Sequence, residues 1–98
     1  MTPEEIIRAL RAGAATLAHD YGVSAMWIFG QAARPGAGPV VEVDLLLELL
    51  RPADVANFIA LRRRLETLLG GVRVEPVLRP AAFPEGVEDV LADATRVF

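Results

Sequence analysis

The run Val41-Glu42-Val43-Asp44-Leu45-Leu46-Leu47 sets two carboxylates two residues apart in an otherwise aliphatic stretch. A run of this composition reads as a β-strand, on which Glu42 and Asp44 project from one face and Val41, Val43 and Leu45 from the other. Two carboxylates aimed at one point repel each other unless a cation lies between them, and oxygen ligands alone suit magnesium better than a soft metal. The plainer alternative is an edge strand with a solvated polar face. Glu48 shares the parity of the pair but lies about 13 Å along the strand from Asp44, and it stays outside the site.

Upstream, Ile28-Phe29-Gly30-Gln31-Ala32-Ala33-Arg34 reads as a strand that stops at a glycine and enters a turn. A helical turn starting here aims backbone N–H groups at an anion near Gly30, as a triphosphate would require. The loop Pro35-Gly36-Ala37-Gly38-Pro39 then leads into the acidic strand. Ten residues separate Gln31 from Glu42. The whole pattern resembles the signature of the minimal nucleotidyltransferases of the DNA polymerase β superfamily: a strand ending in Gly-Ser, an Ala-Arg-Gly turn, ten residues from the Ser to an Asp-x-Asp pair, and aliphatics after it. Phe29-Gly30, Ala33-Arg34 and Asp44-Leu45-Leu46 match it, while Gln31 stands at the serine position, Glu42 at the first aspartate, and Pro35 where the turn has glycine. Farther on, Val74-Glu75-Pro76 follows a helix and a double glycine, where the family carries its third carboxylate, so Glu75 takes that place.

The resemblance spans the chain from about Gly22 onward and implies a polymerase β palm-like fold. It implies Mg²⁺ held by Glu42, Asp44 and Glu75, with these as the catalytic carboxylates, and ATP or another NTP bound through Gly30, Gln31 and Arg34. The implied reaction moves a nucleoside monophosphate, AMP by preference, to an acceptor. Many family members are encoded with a helical HEPN-domain ribonuclease toxin, which they neutralise by binding and sometimes by adding AMP to a tyrosine. Glu42 reaches about 1 Å farther than aspartate and Gln31 is bulkier than serine, and displacements of that size can cost ~100-fold in rate. The alternative reading is therefore an antitoxin or binding module that keeps the fold and acts by protein contact alone.

Composition is consistent with either reading. Ninety-eight residues suffice for one domain with one core, over 1–98. At 53% hydrophobic and a mean hydropathy of +0.37, so short a chain is expected to cover apolar surface with a partner, either a second copy or a helical protein. Asp44 and Glu48 interrupt the most apolar segment before it reaches the ~20 residues of a membrane span, and the acidic Thr2-Pro3-Glu4-Glu5 start is unlike a secretory signal. The expectation is a cytoplasmic protein. Cysteine is absent, which excludes disulfides and thiolate metal sites. All ten basic residues are arginine and the net charge is −3, not the balance of an autonomous nucleic-acid binder.

The elements that must position these residues are signalled in turn. Thr2 with Glu5 forms a capping box for a first helix that runs to Asp20-Tyr21-Gly22, with Ile6, Ile7, Leu10, Ala14 and Leu17 along one stripe. His19, the only histidine, falls in its last turn, a structural place for an imidazole. A strand follows over Val23 to Phe29, with Val23, Ala25, Trp27 and Phe29 on one face, Ser24, Met26 and Ile28 on the other, and Trp27 in the core. The second strand spans Val40 to about Leu50. Asp54 caps a second helix to about Leu69, whose stripe of Phe58, Leu61, Leu65 and Leu68, flanked by Val55 and Ile59, faces the sheet. Arg62-Arg63-Arg64 fans around that helix over about 200°. A third strand, Val72 to Leu78, carries Pro76, which suits a sheet margin. A connector, Pro80 to Pro84, and a last helix from about Glu85 to Ala94 complete the chain. The order helix, strand, strand, helix, strand, helix gives an α+β class: a three-stranded mixed sheet with helices on one face.

Overall fold

The computed structural model describes residues 1–34, 36–79 and 92–98. Thr2 caps helix α1 (Pro3–Ala12) in a complete capping box: its hydroxyl accepts from the Glu5 N–H while the Glu5 carboxylate accepts from the Thr2 N–H. The expected single helix is in fact two, because the chain breaks at Gly13 before α2 (Ala14–Tyr21). A methyl at Gly13 would lie 2.9 Å from Leu68 Cδ1, so the break sits where another helix presses close. Gly22 ends α2 in the left-handed conformation at φ 70°.

Strand β1 (Val23–Phe29) runs into a 3₁₀ turn (Gly30–Ala33), and β2 (Glu42–Leu49) returns antiparallel to it. Asp54 accepts from the Asn57 N–H and opens α3 (Val55–Leu68). The crossover delivers β3 (Arg73–Arg79) parallel to β2, at the margin of the sheet as Pro76 required. The sheet has a fourth strand beyond the three expected: β4 (Thr95–Arg96) adds antiparallel to β1, giving the order β3-β2-β1-β4. Two residues leave no periodicity to read, which is why the sequence does not announce it. The Pro80–Pro84 connector and most of the Glu85–Ala94 helix fall outside the described residues.

Helices pack on one face of this mixed sheet. Ile6, Leu10 and Leu17 from the first two helices and Leu61 and Leu65 from α3 meet Met26, Ile28, Val43, Leu45, Leu47 and Val74 in the main core. Val23 joins this cluster instead of following Ala25 and Trp27, because the β1–β2 register shifts between Val23 and Ala25. Such a bulge inserts one residue and reverses the facing of everything before it. Ala25, Trp27 and Leu46 form a smaller cluster on the opposite face. Val41, expected with Val43 and Leu45 on the apolar face, precedes β2 and is 82% exposed. The stripe of α3 is narrower than its sequence suggests: Leu61 and Leu65 are buried, whereas Val55 is 77% and Ile59 45% exposed.

Candidate active site

Val43 pairs with Val74, Asp44 with Glu75 and Leu45 with Pro76 along the parallel β2–β3 ladder. Paired residues of adjacent strands point to the same side of a sheet, about 4.8 Å apart at the backbone. Since Val43 and Val74 lie under the helices, Asp44 and Glu75 project together from the opposite face. Glu42 lies two residues before Asp44 on that face and is exposed at the start of β2. The structure thus brings the two strands' carboxylates to one end of the sheet.

Asp44 is also opposite Phe29 in the β1–β2 register, which puts it beside the turn at Gly30. Gly30 has φ 73°, and a Cβ there would fall 2.7 Å from Asp44 Oδ2. Only a residue without a side chain satisfies both demands: the left-handed backbone and the close carboxylate. Burial, reinforced by the charges of Glu42 and Glu75, holds the Asp44 carboxyl above its ordinary value.

The donor chemistry of the site, three carboxylates and no sulfur, fits a hard divalent cation. Among the described residues, however, no group of three or more such side chains is already gathered around a metal position. Glu75 is half exposed and has Arg62 Nη2 of α3 at 3.9 Å from its Oε1.

Gln31, Arg34 and Glu42 line one cavity of about 440 Å³ between the 3₁₀ turn and the loop that precedes β2. Gly30, the first residue of the turn, is not part of the cavity lining, and the Arg34 N–H is tied to the Gln31 carbonyl at 3.2 Å.

Neither a protein-family model nor a curated protein sequence matches the chain. Among solved structures, one described as a candidate minimal nucleotidyltransferase is 32% identical, superposes with a TM-score of 0.74, and is matched over 96% of this chain and 94% of that one. The chain belongs to the minimal nucleotidyltransferase family.

Two more distant likenesses concern the fold. A toxin–antitoxin crystal structure with AMP-PNP is 14% identical with a TM-score of 0.68, over 90% of this chain and 72% of that one. A complex of the tri-AMPylated Shewanella oneidensis HEPN toxin with its MNT antitoxin is also 14% identical, with a TM-score of 0.64 over 94% and 71% of the two chains.

Other residues of this minimal nucleotidyltransferase have plain structural places. Glu48, left outside the site, accepts from Arg79 at 3.2 Å and from the Ser24 hydroxyl. His19 is exposed at the end of α2, 2.7 Å from Asp20. Trp27 is 8% exposed, and the guanidinium carbons of Arg79 and Arg96 each lie 5.4 Å from the centre of its ring. The residue that sequence reasoning missed is Arg62. Its place in a run of three arginines concealed it, and the only available signal was the four-residue spacing to Glu66, which it also meets at 3.9 Å.

Proposed function

We propose that this minimal nucleotidyltransferase transfers a nucleoside monophosphate, AMP from ATP by family resemblance, to a hydroxyl on a protein partner of the HEPN type. In the proposed step, the acceptor oxygen bonds to the α-phosphorus, the bond from that phosphorus to the bridging oxygen breaks, and pyrophosphate leaves. Glu75, on the sheet margin, takes the acceptor proton. Asp44 and Glu42 would hold Mg²⁺ with Glu75, and the metal supplies charge neutralisation for the triphosphate and a lower pKa for the attacking hydroxyl. Gly30 leaves room for the Asp44 carboxylate, and Gln31 and Arg34 line the cavity in which the phosphates would lie, with amide and guanidinium donors. The observation that carries this reading is the register of Asp44 beside Glu75, with Gly30 clearing space for the former.

A second reading is a binding module that keeps the fold without the chemistry. It is favoured by the engagement of Glu75 with Arg62 and by Gln31 and Glu42 at the family's serine and aspartate positions. Equilibrium ATP binding with and without Mg²⁺ separates the two. Metal-dependent binding that Asp44→Asn abolishes supports transfer, as does passage of an α-phosphate label from ATP to a co-purified partner. Equal ATP affinity in wild type and Asp44→Asn would leave only the binding module.

A further inference from the structure

The Arg62 side chain reaches from the middle of α3 to the margin of the sheet, where its Nη2 lies 3.9 Å from Glu75 Oε1 and its Nε 3.9 Å from Glu66 Oε1. At that separation both are ion pairs without a formed hydrogen bond, so the guanidinium is shared between two acids and locked to neither. Their side chains are 43% (Arg62), 49% (Glu75) and 33% (Glu66) exposed, and water keeps each pair weak. Across the ladder stands Asp44, whose carboxyl is held above its ordinary value by burial first and then by the charges of Glu42 and Glu75. Arg62 is thus the one cation paired with any of the three site carboxylates among the described residues.

The geometry points to Arg62 as the positioning residue of Glu75: its guanidinium neutralises that carboxylate in the metal-free protein and has to yield it before the three carboxylates gather on a divalent cation. The inference rests on the metal-binding reading of Glu42, Asp44 and Glu75. Glu66 is the alternative partner. By drawing the guanidinium along α3, it makes release of Glu75 easy, because Arg62 need not be left without a counter-charge. Loading the site is then an exchange of one cation for another on Glu75, and a mutation on α3, away from β2 and the phosphate cavity, tunes it.

The test is Mn²⁺ binding to the full chain, followed by the electron paramagnetic resonance of free Mn²⁺ at fixed ionic strength. Arg62→Gln removes the competitor and should tighten binding about two- to fivefold, the range an exposed ion pair allows. Glu66→Gln should weaken it, since Arg62 then belongs to Glu75 alone, and Arg62→Lys should stay near wild type. Arg64→Gln makes the same change of charge on another side of α3 and should leave the affinity unchanged. An Arg62→Gln affinity equal to or weaker than wild type, or an equal gain in Arg64→Gln, would overturn the role of Arg62 while leaving the site itself intact. Absence of Mn²⁺ binding in both wild type and Arg62→Gln would overturn this inference together with the metal-binding reading.

Discussion

Burial and the charges of Glu42 and Glu75 all favour the protonated form of Asp44, so its folded-state pKa lies above the ordinary 3.8. A raised carboxyl binds more protons in the folded chain than in the unfolded one, and stability therefore falls as pH rises from 3.8 through the folded value. At neutral pH the metal-free fold bears the whole penalty. Asp44→Asn should raise the thermal midpoint at pH 7 in chelator, and the gain should fade as pH falls through the folded value and be gone well below 3.8, where the carboxyl is protonated in both folded and unfolded chains. A midpoint lowered at pH 7 would contradict this. Gly30→Ala should act in the other direction, costing about 1–2 kcal/mol for the left-handed backbone alone and more from the clash with Asp44 Oδ2. Urea melts of Gly30→Ala, Asp44→Ala and the double variant would separate the two costs. The clash should disappear in the double variant and the backbone cost remain.

At the scale of elements, the start of α1 depends on two reciprocal hydrogen bonds, and Thr2→Ala should lose about 0.5–2 kcal/mol of stability in the same melts. Hydrogen bonding to the carboxylate itself, from the Thr2 backbone N–H first and from the Thr2 side chain second, holds the Glu5 carboxyl below its ordinary value. Its contribution is therefore complete above the ordinary carboxylate range and fades as pH falls through the lowered value. The cap was legible from Thr2-Pro3-Glu4-Glu5 because a capping box is a local event, decided within four residues. The span of β1, the Asp54 cap of α3 and the marginal position of Pro76 were legible for the same reason. What the sequence concealed depended on distant partners. The break at Gly13 answers to Leu68 and the reversal of Val23 to its register against Leu49, while Val55 and Ile59 are left exposed where α3 buries only Leu61 and Leu65. The site divides in the same way. Glu42 and Asp44 could be paired from strand parity, and Glu75 from family resemblance, whereas Arg62 required the crossover that folds α3 back along β3.

For the molecule as a whole, no helix among the described residues is long and apolar enough to cross a membrane, yet apolar surface is left outside the core. Leu50 is 75%, Val55 77% and Ile59 45% exposed, and the latter two continue, at four-residue spacing, into the exposed Arg63. An apolar stripe running into cationic side chains matches the anatomy of a protein interface, whose buried centre is apolar and whose charged rim steers encounter. A partner whose facing surface is acidic should therefore associate quickly at low ionic strength and more slowly as salt screens the arginines. Reversing Arg63 and Arg64 to Glu should slow association at least several-fold and remove most of its salt dependence, while Ile59→Glu should speed dissociation, because it places a charge at the apolar centre. Neither stripe nor rim includes a site carboxylate, so Asp44→Asn should bind the partner as wild type does. The measurement is stopped-flow association of the purified chain with the HEPN-type partner proposed above, at several salt concentrations. An unchanged rate for the Arg63/Arg64 reversal would move the interface off α3, and a complex lost in Asp44→Asn would mean that the partner reads the site itself.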